Sequence, residues 1–122
     1  MADELTEKII GAAMQVHTAL GPGLLESTYE KCLLYELHQI GLQVQAQLQL
    51  PIRYRDITID AGYRIDLLVE NDVIVELKSV DSISAIHKAQ LLSYLKLSNK
   101  HVGLLLNFNV VHLRDGIVRM VN

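Results

Sequence analysis

What most constrains this chain is a pair of alternating runs followed at once by a helical one, between Gly62 and Tyr94 (GYRIDLLVENDVIVELKSVDSISAIHKAQLLSY). From Ile59 to Val69 the odd positions are Ile59, Ala61, Tyr63, Ile65, Leu67 and Val69, and the even ones include Asp60, Arg64, Asp66 and Glu70. From Val73 to Leu77 the odd positions are again apolar, and Glu76 and Lys78 share the even face. A period of two marks half-buried strands, so two successive strands each carry a polar face. Side chains alternate strictly, so the hairpin register decides whether those faces coincide. A two-residue turn at Asn71-Asp72 would set Asp66 against Leu77 and separate the polar groups. An odd-length loop, Asn71 to Val73, sets Asp66 against Lys78 with Glu76 diagonally beside it, and this is the register expected.

Two carboxylates held close together repel, and a divalent cation relieves the repulsion. Oxygen-only ligands on a sheet, with room left for water, suit Mg²⁺ or Mn²⁺ rather than Zn²⁺. A neighbouring Lys then orients or activates a water and offsets charge at a phosphorus centre. The competing reading is a solvated sheet face with a cross-strand salt bridge, and spacing alone leaves both open. The next helix tips the balance. It is expected over Ala85–Ser98, with serines before it as caps and Leu91, Leu92 and Leu95 on its apolar side. His87, Gln90 and Tyr94 fall at i, i+3 and i+7 and share another face. A polar stripe on a helix that must cover a sheet implies something polar beneath it.

Two helices come first. Leu5, Ile9, Ala12, Ala13, Val16 and Leu20 recur at threes and fours, and Gly21-Pro22-Gly23 ends that helix. The second runs from Leu24 or Leu25 to Ile40, with Tyr29, Leu33, Leu34, Leu37 and Ile40 as its buried stripe. Glu26 lies in its first turn, where a carboxylate meets the helix dipole favourably; from there it also has the option of facing the sheet as a third acid. His17 reads as structural rather than as a ligand. Leu42 to Tyr54 is expected as a strand whose alternating Gln43, Gln45, Gln47 and Gln49 form a solvated face, with Pro51 at an edge or strand end. Arg53 and Arg55 follow as exposed hairpin charges within reach of phosphates. His101 to Phe108 is an apolar run, with Val102 and Leu104 to Leu106, and suits a strand buried on both faces. Val110–Leu113 and Ile117–Val121 flank Arg114-Asp115-Gly116, whose Asp-Gly signals a hairpin. The expected order is α-α-β-β-β-α-β-β-β, an α/β (mixed α+β) architecture with a central mixed sheet flanked by helices.

The 122 residues suggest one domain over 1–122 with one modest core. Net charge is −3, so grip on a phosphate backbone would rest on a local patch or a metal bridge. Apolar runs are too interrupted by charge for a membrane span, and no basic stretch precedes an apolar one at the N-terminus. The lone Cys32 excludes an internal disulfide and reads as a small buried residue. A cytoplasmic location is expected.

Gly23-Leu24-Leu25-Glu26-Ser27-Thr28-Tyr29 resembles the signature of the GxxExxY proteins. The likeness runs on through Gly62–Leu67, Glu76-Leu77-Lys78, His87–Tyr94 and Leu105–Asn109, and so covers nearly the whole chain. That family is regarded as part of the PD-(D/E)xK nuclease-like superfamily, and Gln90-x-x-x-Tyr94 is similar to its RecB-like exonuclease branch. The resemblance implies a restriction-endonuclease-like core in which Asp66 and Glu76 are metal ligands and Lys78 activates water or stabilises charge. It further implies Glu26 as an additional acidic ligand or base, and Gln90 and Tyr94 as groups that orient the site or touch substrate phosphate. Ile65 stands where the superfamily name has Pro, which is not a ligand. Arg64 is read either as a phosphate contact or as the salt-bridge partner of Asp66 or Glu76, and His87 as a capping or orienting residue with a weaker claim on substrate phosphate.

Three functions compete. The first is a Mg²⁺- or Mn²⁺-dependent nuclease acting on DNA. The second is a non-catalytic module that keeps the fold and binds nucleic acid or protein. The third is a structural domain with an ion-paired sheet face, and its C-terminal strands offer an edge for a homodimer.

Overall fold

Helical periodicity organises the first forty residues. The structure, a computed structural model, describes residues 2–122. Helix α1 (Ala2–Leu20) buries Ile9, Ala12, Ala13 and Val16. Its end is set by Gly21 at φ 69°, a left-handed residue whose N–H caps the His17 carbonyl. Helix α2 (Glu26–Gln39) buries Tyr29, Leu33 and Leu37. Leu34 is only half-buried, and Ile40 caps the helix and is 50% exposed, so the stripe is narrower than expected. Cys32 is likewise half-buried rather than buried.

The strand region divides more finely than its alternation suggests. The first run becomes β1 (Val44–Gln49) and β2 (Ile52–Tyr54), broken at Leu50-Pro51, where Pro has no N–H to give a ladder. The second becomes β3 (Ile57–Ile59) and β4 (Arg64–Val69). Between them Asp60 turns the chain by accepting the Gly62 N–H at 3.3 Å. Strand β5 (Val73–Lys78), helix α3 (Ala85–Ser98) and strand β6 (Val102–Asn107) follow as expected, with β6 buried along its whole length. Val110–Leu113 is not a strand. Leu113–Gly116 forms a short 3-10 helix that leads into β7 (Ile117–Val121), so Asp115-Gly116 ends that turn instead of making a two-stranded hairpin.

Five strands form one mixed sheet in the order β1-β4-β5-β6-β7, and β2 and β3 make a separate hairpin. The β5–β6 pair is parallel and the other sheet pairs are antiparallel, because α3 carries the chain across between β5 and β6. Helices α1 and α2 cover one face over Leu67, Val69, Val73, Val75, Leu77, Leu104 and Leu106. Helix α3 covers the other through Leu91 and Leu95 over Ile65, Leu68, Ile74 and Leu105. This is the three-layer mixed α/β architecture expected of a restriction-endonuclease-like core.

One irregularity places the site. Ile65 and Leu67 are two apart and should share a face, yet they pack into opposite layers. On the neighbouring strand Val44 and Leu48 do the same. Both strands therefore roll over between these residues, at Asp66 and at Gln47 opposite it. Gln47 has φ 53°, a left-handed conformation in mid-strand that costs on the order of 1–2 kcal/mol.

At the far end of the sheet a Cβ on Gly116 would run into the backbone carbonyl of Asn107, which cannot yield as a side chain would. Gly116→Ala is therefore expected to destabilise the fold by about 2 kcal/mol, as overpacking against backbone does. Urea unfolding would measure it, and an unchanged midpoint would contradict this close approach.

Candidate active site

Strands β4 and β5 pair through Val69–Val73, Leu68–Ile74 and Leu67–Val75, and then the ladder stops. The connecting loop is Glu70–Asp72, odd in length as expected but one residue earlier. That shift carries Asp66 toward Glu76 rather than Lys78. Glu70 and Asn71 are both left-handed, and the Asp72 N–H closes the turn on the Val69 carbonyl at 3.0 Å.

Beyond the ladder, side chains take over its hydrogen bonds. The Asp66 N–H donates to Glu76 Oε2 at 2.8 Å, and the Leu77 N–H donates to Asp66 Oδ2 at 2.9 Å. Each acid thus satisfies a backbone group that the fork between the strands would orphan. Each keeps one oxygen out of that exchange, Asp66 Oδ1 and Glu76 Oε1. The two charges are held together at a poor place for charge. Glu76 is 4% exposed, and burial, with the Asp66 carboxylate next, pushes its pKa up to about 8 despite the Asp66 N–H and Lys78. Burial also raises Asp66, against the pull of the Leu77 N–H, Lys78 and Gln47.

Glu76 is buried and Asp66 is half-buried at the roll between the layers, so both helical layers reach them. From α3, Tyr94 is 6% exposed, and its hydroxyl is pushed up by burial, then by Glu76 and Asp66. Its ring meets Tyr63 edge-on at 6.3 Å. Tyr94 and Gln90 line a groove of about 440 Å³ with Ile52, Tyr63, Ile86, Ala89, Ser93 and Leu97; Gln90 is exposed there, so of the polar stripe on α3 it is Tyr94 that reaches the acid pair. From α2 comes Glu30, whose pKa is raised by burial and then by Asp66. Glu26 is exposed at the first residue of α2, and its carboxylate takes part in no hydrogen bond or ion pair among the described residues; its charge falls on Glu30. The loop before it is fastened by Tyr29, whose hydroxyl donates to the Gly21 carbonyl at 2.5 Å and accepts the Leu24 N–H at 3.1 Å. Ser79, just past Lys78, donates to the Leu24 carbonyl at 2.7 Å and ties this loop to the end of β5.

Lys78 ends β5 half-buried, its carbonyl holding the Phe108 N–H at 2.9 Å. Its positive charge lowers both acids, yet it forms no ion pair with either. Among the described residues the one ion pair is Arg119–Asp3, far away in sequence. The cross-strand salt bridge is therefore absent, and Arg64 is exposed without a carboxylate partner. His87 caps α3, its Nδ1 accepting the Ser84 N–H at 3.1 Å while Ser84 caps the His87 N–H. His17 is structural, its Nε2 at 2.8 Å from the Val110 carbonyl.

Sequence reasoning missed two residues. Glu30 lies one helical turn beyond Glu26, a spacing that would have singled it out. Alternation puts Gln47 on a solvated face, but its Nε2 donates to Glu30 Oε1 at 2.8 Å and to Asp66 Oδ1 at 3.4 Å. Gln49 is also engaged, donating to Asp60 at 2.8 Å.

Among the described residues no three His, Cys, Asp or Glu side chains converge to cage a metal. The donor set is a pair of carboxylates, each with an oxygen to spare, that repel one another when ionised. This fits a hard cation such as Mg²⁺, which uses one or two carboxylates and keeps water and substrate oxygens for the remaining positions. A larger cleft of about 560 Å³, lined by Met14, His17, Thr18, Gly21, Pro22, Val111, His112, Leu113 and Arg114, contains no carboxylate. Chemistry, not size, selects the acid pair.

A family model described as the PD-(D/E)XK nuclease superfamily matches residues 3–120. Comparison with curated proteins and with solved structures gives no match. Among the described residues no helix is long and apolar enough to cross a membrane.

Proposed function

The chain belongs to the PD-(D/E)XK nuclease superfamily, and from that premise we propose that it is a Mg²⁺- or Mn²⁺-dependent nuclease hydrolysing phosphodiester bonds in DNA. The observation that carries this is the reciprocal clasp of Asp66 and Glu76, which fixes a half-buried and a buried carboxylate side by side and leaves an oxygen of each outside the clasp. Asp66 and Glu76 would hold the cation, with Glu26 as a further acid at the start of α2. When bound, such a cation supplies Lewis acidity to a phosphoryl oxygen and lowers the pKa of a water. Lys78 lies close enough to be felt by both acids and is not spent on an ion pair. Its ammonium is therefore free to offset charge as it develops on the phosphorus oxygens and to orient the attacking water. Gln90 and Tyr94 would hold the substrate across the groove, with Arg64 and His87 as weaker phosphate contacts. On Gly23, Glu26 and Tyr29 we assign the chain to the GxxExxY branch, as a single cytoplasmic domain able to form a homodimer.

The test is calorimetric titration with Mg²⁺ and Mn²⁺ of wild type and of the Asp66→Ala/Glu76→Ala double variant. The same samples are incubated with labelled single- and double-stranded DNA and with RNA. Metal binding and DNA cleavage in wild type, both lost in the variant, are expected. Wild type that neither binds metal nor cuts would instead favour a non-catalytic binding module on the same fold.

A further inference from the structure

We infer that Gln47 is a positioning residue of the cation site, fixing the available oxygen of Asp66 and tethering Glu30 beside it. This rests on the reading of Asp66 and Glu76 as cation ligands. The starting point is a backbone anomaly. Gln47 sits at φ 53° in the middle of β1, yet it is not a residue type that tolerates the left-handed region easily. Its neighbours Ala46 and Leu48 keep the ordinary register with Leu67 and Ile65. A conformation kept at a cost, at one position opposite one acid, points to a requirement at that position.

The side chain supplies the requirement. Leu77 already holds Asp66 Oδ2, so the contact at 3.4 Å falls on Oδ1, the oxygen the strand fork leaves over. The other hydrogen of the same Nε2 goes to Glu30 Oε1 at 2.8 Å. One amide thus links an acid of β4 to an acid of α2 across two layers. A neutral donor suits this place. It orders both carboxylates and leaves their negative charge intact for a cation, whereas a Lys or Arg would compete with that cation. Hydrogen bonds that orient ligating carboxylates typically contribute 10–100-fold to metal affinity.

The experiment is Mn²⁺ titration by calorimetry of wild type, Gln47→Gly, Gln47→Asn, Glu30→Gln and the Gln47→Gly/Glu30→Gln pair. Gly and Asn both accept the left-handed conformation, so the strand roll survives while the reach of the amide is lost. Both Gln47 variants are expected to bind Mn²⁺ about 10–100-fold more weakly. Glu30→Gln is expected to weaken binding in wild type and to add less in the Gln47→Gly background, because the two residues act through one bond. Affinity within twofold of wild type in either Gln47 variant, or full additivity with Glu30→Gln, would overturn the inference. If wild type itself bound no Mn²⁺, the reading of the acid pair would fail instead, so the two failures are separable.

Discussion

Asp66→Asn is expected to lower DNA cleavage on the order of 10³-fold and to leave the metal-free protein folded. The substitution removes a charge and almost no volume. Its side-chain carbonyl can still accept the Leu77 N–H that Asp66 Oδ2 holds at 2.9 Å, so the fork between β4 and β5 keeps its closure. What goes is half of the anionic pair and the attraction for a divalent cation. Lys78→Ala is expected to cost a similar factor by a different route. Among the described residues Lys78 is engaged in no ion pair, so its loss unfastens nothing in the fold, while metal binding should persist or strengthen as a competing positive charge disappears. Cleavage rates, melting temperatures and Mn²⁺ affinities of the two variants then separate a ligand from a charge stabiliser. Undiminished cleavage in both would exclude the acid pair and its lysine as the reaction centre.

How much of this was legible beforehand depends on which residues are asked about. Strands β5 and β6 and helix α3 were plain because burial and period agreed there. Asp66, Glu76 and Lys78 stood out as polar faces of two apolar strands, which spacing alone leaves open between a cation site and a salt-bridged surface, and Tyr94 joined them only through the polar stripe on the covering helix. The register was not plain. Alternation is blind to a shift of two residues, so Asp66 opposite Lys78 and Asp66 opposite Glu76 looked alike. Nor was the roll of β1 and β4. A strict period of two assumes untwisted neighbours, and nothing in Leu-Gln-Val-Gln-Ala-Gln-Leu marks its third glutamine as the one that turns over. Gln47 stayed hidden for that reason: its partner on β4 is fixed by backbone geometry, not by spacing, whereas Glu30, one helical turn beyond Glu26, was within reach of the helical period.

The same geometry makes the metal-free fold sensitive to pH. Its stability is expected to fall as pH rises from about 4.5 to about 8 and to recover when Mg²⁺ is added at the upper end. Glu76 binds its proton more tightly folded, near pH 8, than unfolded, near 4.5. A raised pKa stabilises the native state fully below the unfolded value, and that stabilisation drains away as pH climbs through the folded one. Asp66 and Glu30 are raised as well and push in the same direction. One pKa unit corresponds to about 1.4 kcal/mol, so Glu76 alone accounts for a few kcal/mol, enough to move a melting temperature on the order of 10 °C. In Glu76→Gln the side-chain carbonyl still accepts the Asp66 N–H, but the proton is no longer needed to neutralise the group. That variant should melt higher than wild type at pH 8, show a flatter profile, and gain little from Mg²⁺. Thermal melts from pH 5 to 8.5 with and without Mg²⁺ decide it. Parallel profiles for wild type and variant would mean that Glu76 is ionised at no cost, and the strained acid pair would lose its reason to attract a cation.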